Sequence, residues 1–126
     1  MNYQEALAFM SKAKNISKGR PTGQRGTRMI YDTHYATNMP VVSLRYHNTI
    51  LVQWAHDHTL FCNDGWNTLT TMNRIREHLH PLGYTIYSKN GCKYLHRFND
   101  EKTGDIALSN AFMFTVSPEG EVAIKH

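Results

Sequence analysis

The stretch Pro40-Val-Val-Ser-Leu-Arg-Tyr-His-Asn-Thr-Ile-Leu-Val-Gln-Trp54 decides the fold of this chain. It contains two runs rich in β-branched and aromatic residues, 41–46 and 49–54, with two residues between them. A connector this short joins antiparallel neighbours, so the pattern predicts a β-hairpin, and a third such run at 59–62 extends it to a meander. The connector also sets the register, pairing Tyr46 with Thr49, Leu44 with Leu51 and Val42 with Gln53.

A second hairpin is predicted over residues 84–97, because Asn90-Gly91 is a strong signal for a two-residue turn. Side chains along a strand alternate between its two faces, so each face of this hairpin can be read from the sequence. One face carries six side chains, which pair across the strands as Tyr87 with Tyr94, Thr85 with His96, and Lys89 with Cys92.

Two amphipathic segments predict helices. At the N-terminus, apolar residues recur at three- and four-residue spacing and Asn2 can cap the first turn, so we expect a helix that ends at Gly19. Residues 70–80 repeat the pattern. We expect Thr70 to cap this second helix and Pro81 to end it.

With 126 residues, of which 40% are hydrophobic, the chain has the size and apolar content of one domain. We expect a single α+β domain over 1–126, in which an antiparallel sheet of meander and hairpins packs on one or two short helices. Its predicted parts are an N-terminal helix (1–19), a basic flexible loop (20–30), a core of meander, helix and hairpin (40–98), a polar loop (99–110) and a C-terminal hairpin (111–126).

Composition argues against several protein classes. The apolar runs are far shorter than the roughly 18 residues that a membrane-spanning helix needs, and the N-terminus lacks the layout of a signal peptide. Cys62 and Cys92 are too few for a disulfide framework. We therefore expect an intracellular protein with free thiols and no membrane partner. Its oligomeric state, including a homo-oligomer, stays open.

Charge is concentrated at one end of the chain, since residues 1–30 carry six basic side chains and one acidic one. The basic segment, Lys18–Arg28, combines three glycines with four basic residues and resembles arginine–glycine stretches that follow nucleic-acid backbones. We expect Arg20, Arg25 and Arg28 to contact phosphates. The alternative is a solvated linker between helix and sheet.

The start of the second helix is a candidate anion site. Free N–H groups and the helix dipole favour a negative charge there, and three hydroxyls and a guanidinium lie close in sequence. The candidate ligand-binding residues are Thr68, Thr70, Thr71 and Arg74. In the alternative reading, which we favour, Thr70 only caps the helix, and Trp66 and Leu69 pack as a staple. Arg74 then faces solvent or pairs with Asp64 or Glu77.

Exposed aromatic rings supply a second kind of candidate site. Tyr87 and Tyr94 lie on one face of the predicted hairpin with a lysine and a histidine, which is the chemistry of sequence-tolerant single-strand binding. We include Trp66 as a third stacking residue. Alternatively, the tyrosines half-cover the core and Trp66 packs on Leu69 at the helix start.

Eight histidines raise the question of a metal site. The pairs His56-x-His58 and His78-x-His80 have spacings compatible with ligation, but no His-Glu-x-x-His motif and no cysteine cluster accompanies them. Neither a P-loop nor a Gly-x-Ser-x-Gly elbow is present. We therefore expect no metal, no cofactor and no catalytic residue.

Several motifs together resemble a family of small bacteriophage proteins. The resemblance rests on Tyr46-His-Asn-Thr49, Leu60-Phe-Cys-Asn-Asp-Gly-Trp-Asn-Thr-Leu-Thr-Thr71, Arg74-Ile75 and Tyr84-x-x-Tyr-x-x-Asn-Gly91. It covers about residues 41–97, and it departs from the family pattern where Asn48 and Asp64 replace glycines. The resemblance implies a phage gene expressed in the cytoplasm of an infected bacterium, and it carries over no catalytic residue.

These features favour a non-enzymatic phage accessory protein that binds nucleic acid or a phosphate-bearing nucleotide and can thereby counter a host process. The alternative is a protein-binding inhibitor of a host enzyme or defence complex, which would use exposed aromatic residues and no anion. A His-dependent metallohydrolase is the third and weakest hypothesis. Salt dependence separates the first two, because anion binding weakens steeply as salt rises.

Overall fold

The computed structural model describes residues 1–34, 37–63, 68–98, 104–108 and 113–125. It confirms a small α+β domain of helices packed with antiparallel sheets. The helices are α1 (Tyr3–Met10) and α2 (Leu69–Leu79), and a 3₁₀ turn (His80–Leu82) follows α2. The strands are β1 (Arg20–Pro21), β2 (Thr27–Thr33), β3 (Pro40–Tyr46), β4 (Thr49–Ala55), β5 (Leu60–Asn63), β6 (Tyr84–Lys89), β7 (Cys92–Arg97), β8 (Ile106–Ala107), β9 (Met113–Val116) and β10 (Val122–Lys125).

The strands form two sheets. The large sheet has the order β1-β2-β3-β4-β5-β9-β10, with antiparallel pairing throughout, so the predicted meander is its centre. The C-terminal hairpin, β9 with β10, joins it through β5. The small sheet has the order β6-β7-β8. Neither α1 nor α2, the α-helices of the described residues, is long and apolar enough to cross a lipid bilayer.

The predicted register between β3 and β4 is wrong beyond the first pair. Tyr46 does lie opposite Thr49, but an irregularity between Leu44 and Arg45 shifts the ladder, so Leu44 pairs with Val52. The same shift sets Val42 opposite Trp54 and Gln53 opposite Ser43. Without this bulge Gln53 would face the core beside Val42. The extra residue in β4 places Trp54 there instead.

The main apolar core joins the large sheet to both helices and to the small sheet. It includes buried side chains from both helices and from the inner side of the small sheet. The contributors are Val42, Leu44, Val52 and Trp54 from the large sheet, Ala6 and Met10 from α1, Ile75 and Leu79 from α2, and Tyr84, Ile86 and Leu95 from the small sheet. The hairpin β6–β7 is therefore held by its inner face, and its outer face is left at the surface.

Both helices differ in length from the prediction. Asn2 caps α1 as expected, in a capping box with Glu5, but the helix ends at Met10 rather than at Gly19. The following segment turns back instead, because the Asn15 side chain accepts hydrogen bonds from the main-chain N–H of Ser17 and Lys18. This turn leads the chain directly into β1.

Two predicted loops contain strand. Residues 20–30 were expected to be a flexible loop, yet β1 and the first part of β2 lie in this range and pair as a hairpin. Gly23 and Gly26 have φ of +93° and +67°, so glycines that suggested a loop serve the turn of that hairpin. The expected polar loop at 99–110 likewise contains β8. The remaining residues of that range, apart from 104–108, lie outside the described residues.

The small sheet is fastened to α2 along the edge formed by β6. The Arg76 guanidinium donates from Nε to the main-chain oxygen of Ile86 at 2.8 Å and from Nη1 to Oδ1 of Asn73 at 3.1 Å. Ile86 and Leu95, which face each other across the two strands, are buried in the core. The hairpin is thus held in two ways: its apolar side chains are buried in the core, and its main chain accepts a hydrogen bond from Arg76.

Candidate functional site

The outer face of the β6–β7 hairpin carries a group of polar and aromatic side chains that interact with one another. The register is the one predicted from Asn90-Gly91, and both turn residues have positive φ, 53° and 78°. Tyr84, Ile86 and Leu95 are buried, while the alternate side chains face outward. We call the outward surface the tyrosine face; it comprises Thr85, Tyr87, Lys89, Cys92, Tyr94 and His96, together with the adjoining His80, Phe98 and Asp105.

Two tyrosines stack across the strands at the centre of this face. The ring centroids of Tyr87 and Tyr94 are 5.2 Å apart, and the ring planes differ by 20°. Both side chains are half-buried. The Tyr87 hydroxyl donates a hydrogen bond to Oδ2 of Asp105, and that bond raises the pKa of Tyr87 to about 12. Tyr87 is therefore a neutral phenol with a fixed orientation at physiological pH.

Asp105 connects the tyrosine stack to a histidine. Its Oδ1 lies 2.7 Å from Nδ1 of His96, while its Oδ2 accepts from Tyr87. The hydrogen bonds from Tyr87 and His96 hold the pKa of the Asp105 carboxyl below its usual value. Among the described residues, Nε2 of His96 has no hydrogen-bond partner. The carboxylate thus orients the imidazole and leaves its second nitrogen available to a ligand.

A second imidazole lies at the same end of the face. Nε2 of His80 is 3.2 Å from Oγ1 of Thr85, which is the cross-strand partner of His96. The Phe98 ring makes an edge contact with each histidine, with centroid distances of 5.6 Å to His80 and 5.8 Å to His96. Phe98 is 39% exposed. This end therefore combines an accessible aromatic ring with two imidazoles.

The predicted anion site at the start of α2 has a different form from the one expected. Thr68, not Thr70, caps the helix, and its hydroxyl accepts from the main-chain N–H of Thr71 at 3.2 Å. The Thr68 hydroxyl also donates to the Thr71 hydroxyl at 3.1 Å, and Thr71 is buried. Thr70 is exposed and lies inside the first turn. Two of the three hydroxyls are therefore engaged within the protein, and the cap lies at Thr68 rather than at Thr70.

Arg74 is likewise engaged within the protein. Its Nε donates to the Thr27 hydroxyl at 3.3 Å, and its Nη1 lies 4.0 Å from Oε1 of Glu77. The amide nitrogen of Gln24 also donates to both carboxylate oxygens of Glu77, at 2.8 and 3.0 Å. These contacts dock the β1–β2 turn onto α2. The structure therefore brings the basic segment and Arg74 together at a structural junction.

The arginines of the basic segment also have intramolecular partners. Arg20 donates from Nη1 to the main-chain oxygen of Phe9 at 3.1 Å, and its guanidinium lies 4.0 Å from the centroid of the Phe9 ring. Arg28 donates to the main-chain oxygens of Lys18 and Gly19 at 3.0 and 3.3 Å. Arg25 is exposed. Of the three arginines expected to contact phosphates, two join the N-terminal region to the large sheet.

Trp66, the third stacking candidate, lies outside the described residues. Within the described ranges, no group of three or more metal-ligating side chains comes together. His78 packs edge-on against Trp54, with centroids 4.9 Å apart, and burial lowers its pKa to about 4. His78 is thus part of the core packing.

A cleft of about 450 Å³ lies on the other side of the small sheet from the tyrosine face. It is bounded by the inner side of the hairpin and by the turn between β9 and β10. The Tyr84 hydroxyl donates across it to the main-chain oxygen of Gly120 at 2.5 Å. Arg97, Glu119 and Glu121 all line this cleft, so its charges are mixed and favour neither an anion nor a cation.

Sequence reasoning found the tyrosines but missed Asp105, His80 and Phe98. Asp105 is 18 residues from Tyr87 and fell in a predicted loop, so no local spacing linked the two. His80 was assigned to the end of a helix. The available signal was the cross-strand position of Thr85 opposite His96, which marks the part of the face that His80 and Phe98 extend.

Compared with known proteins, the chain matches no family model, no curated protein and no solved structure.

Proposed function

We propose that this protein binds single-stranded nucleic acid across the tyrosine face. The observation that carries the proposal is the half-exposed stack of Tyr87 and Tyr94, whose ring orientation Asp105 fixes. Aromatic platforms of this kind bind bases of any sequence, because every base has a flat π surface. A ring that is already held in place loses less conformational entropy when a base stacks on it.

The charge around the stack supports a polyanionic ligand. Lys89 extends from the turn end of the same face and is exposed, and the chain as a whole carries a formal charge of +4. Two imidazoles and Phe98 continue the surface beyond the tyrosines. Bases would stack on the rings, while Lys89 and the histidines would contact the phosphates that join them.

The experiment measures, by fluorescence anisotropy at several salt concentrations, how tightly the protein binds labelled oligonucleotides of about ten thymidines (DNA) or ten uridines (RNA). Tyr94→Ala should weaken binding roughly 5- to 100-fold and leave the salt dependence unchanged, since it removes stacking alone. Lys89→Ala should weaken binding of both oligonucleotides and lower the slope of log K against log salt by about one, since it removes one phosphate contact.

Tyr31→Ala is the matched control, because Tyr31 is 44% exposed but lies on β2 of the large sheet. It should bind like the unmodified protein. Undetectable binding of both oligonucleotides at low salt would contradict the proposal, and so would an equal loss in the Tyr31 and Tyr94 variants.

A second candidate function is inhibition of a host protein through an apolar contact. The observation in its favour is that Leu82 and Phe98, 40% and 39% exposed, lie at one end of the tyrosine face. A surface of this kind would bind a protein with little dependence on salt. If both oligonucleotides fail to bind, this function takes first place.

The cellular setting that we propose is the cytoplasm of a bacterium infected by a phage. It rests on the motif resemblance of residues 41–97 and goes with a role in countering a host process. Expression of the protein in bacteria, followed by mass spectrometry of what copurifies without nuclease treatment, tests this setting. Recovery of bound host nucleic acid would support it, and recovery of the protein alone would count against it.

A further inference from the structure

The histidine end of the tyrosine face has a geometry that stacking alone does not require. Asp105 holds His96 through Nδ1 at 2.7 Å, so Nε2 of His96 is the nitrogen presented to a ligand. His80 contacts the same Phe98 ring as His96, and its Nε2 lies 3.2 Å from the hydroxyl of Thr85, the cross-strand partner of His96. Two imidazole nitrogens thus border one surface on which a base can stack.

We propose that this end of the tyrosine face cleaves RNA by general acid–base catalysis, with His80 as the base and His96 as the acid. The inference rests on the proposed function, because a strand bound along the tyrosines would continue over Phe98 and place a phosphodiester between the two imidazoles. RNA is the substrate class, since the reaction uses the ribose 2′-hydroxyl that DNA lacks.

The reaction balances without a co-reactant. Nε2 of His80 takes the proton of the 2′-hydroxyl, and the 2′-oxygen attacks the adjacent phosphorus, forming a new P–O2′ bond. The P–O5′ bond breaks, and protonated His96 gives its proton from Nε2 to the departing O5′. The products are a strand ending in a 2′,3′-cyclic phosphate and a strand beginning with a 5′-hydroxyl. A final proton transfer from His80 to His96 through water restores both side chains.

The neighbouring residues fit these two roles. The Thr85 hydroxyl lies within hydrogen-bond distance of Nε2 of His80. The 2′-hydroxyl of a bound ribose would replace the Thr85 hydroxyl at that nitrogen. Asp105 is a positioning residue: it fixes the ring of His96 and can balance the positive charge of the acid. Tyr87 in turn holds the second carboxylate oxygen of Asp105. Phe98 would stack with the base beside the scissile bond.

The test incubates the protein with a uridine-rich RNA oligonucleotide in the presence of EDTA, and with the DNA oligonucleotide of matching sequence. The unmodified protein should bind both but cleave only the RNA, to products with cyclic phosphate and 5′-hydroxyl ends. His80→Gln and His96→Gln should each lower the cleavage rate at least about 100-fold and still bind the DNA. Asp105→Asn should slow cleavage, and Asp105→Glu should restore part of the rate.

His56→Ala is the matched control, because His56 is exposed in the β4–β5 turn and far in sequence from this face. It should cleave at the normal rate, whereas a contaminating ribonuclease would cleave in every preparation alike. Binding of both oligonucleotides without cleavage of RNA would overturn this inference and leave the proposed function standing. Failure to bind either one would overturn both. Cleavage that persists in both glutamine variants would also overturn it.

Discussion

The basic segment and the tyrosine face are both polar surfaces, and their side chains are used in opposite ways. In the basic segment, Arg20 and Arg28 donate to main-chain oxygens that lie nine to eleven residues away. On the tyrosine face, the hydrogen bonds of Tyr87 and His96 run to another side chain, Asp105, and both rings stay half-exposed. One surface ties the chain together, whereas the other arranges groups at the boundary with solvent.

The density of positive charge in a sequence is therefore a weak guide to a binding surface. A guanidinium has five donors and often satisfies them within its own protein, where it fastens loops and helix ends. The hairpin can leave its outer side chains unburied because its inner side chains already supply the packing. One change of pH and three substitutions test which contacts stabilise each region of the fold, from the largest expected effect to the smallest.

Acid should destabilise the helix side of the molecule through His78. Its pKa is about 4 when folded and about 6.5 when unfolded, so the unfolded state binds a proton first as the pH falls. The free energy of unfolding should therefore decrease between pH 7 and pH 4, by about 3 kcal/mol at most from this group. Urea unfolding across this range measures the change.

His78→Phe is the control for the acid experiment. Nδ1 of His78 is buried with no hydrogen-bond partner among the described residues, so a phenyl ring can replace the imidazole against Trp54. Asp57 and Asp105, whose pKa values are also lowered, act in the same direction in both proteins. Identical pH dependence in the two proteins would contradict the assignment to His78.

Arg20→Ala should lower the free energy of unfolding by about 2 kcal/mol, because it removes a charged hydrogen bond to Phe9 and a guanidinium that lies over the Phe9 ring. Arg25→Ala removes the same charge at an exposed position and should change stability by less than about 0.5 kcal/mol. Thermal and urea unfolding of the pair measure the difference. Equal losses would break the distinction between a structural arginine and a solvated one.

Gly91→Val should destabilise the domain by about 1–2 kcal/mol, because Gly91 has a φ of +78° that a β-branched residue rarely adopts. Apart from Gly91 and its two chain neighbours, nothing lies within 4 Å of the position of an added Cβ, so the cost comes from the local backbone conformation. Gly91→Asn should cost less, since asparagine tolerates this conformation. Unchanged thermal unfolding of the valine variant would contradict the turn assignment.

Thr68→Ala should lower the free energy of unfolding by about 1 kcal/mol through loss of the α2 cap. Thr70→Ala is the matched control, since Thr70 is exposed and takes no part in the cap. The helix content and the urea midpoint of both variants would be measured. A greater loss in the Thr70 variant would return the cap to the residue that the sequence pattern indicated.

The sequence predicted those elements whose signals are local. Asn90-Gly91 predicted the register of β6 and β7, because a two-residue turn fixes the first pair and no bulge interrupts this ladder. No sequence motif marks the bulge beside Leu44. Its position depends on whether Leu51 or Val52 packs into the core opposite Leu44, which is a property of the tertiary structure. The cap at Thr68 was missed because threonines stand at 68, 70 and 71, and residue type alone does not select which of them caps the helix.

In the candidate site, too, the residues with local sequence signals were predicted and those placed by long-range contacts were not. Tyr87 and Tyr94 were found because they face each other across a predictable ladder. Asp105 could not be placed, since it reaches them only through the pairing of β8 with β7, and β8 has two residues. A strand that short has no periodicity to read.

The hydrogen bond from Arg76 to Ile86 has a consequence for how molecules of this protein meet in solution. Strand β6 is an edge strand, and edge strands attract further strands from other chains because their main-chain groups are unpaired. The guanidinium covers one of these acceptors, so an incoming strand would have to displace Arg76 before it could pair there. Replacing Arg76 with alanine would open that edge to aggregation, and light scattering during prolonged storage would detect it.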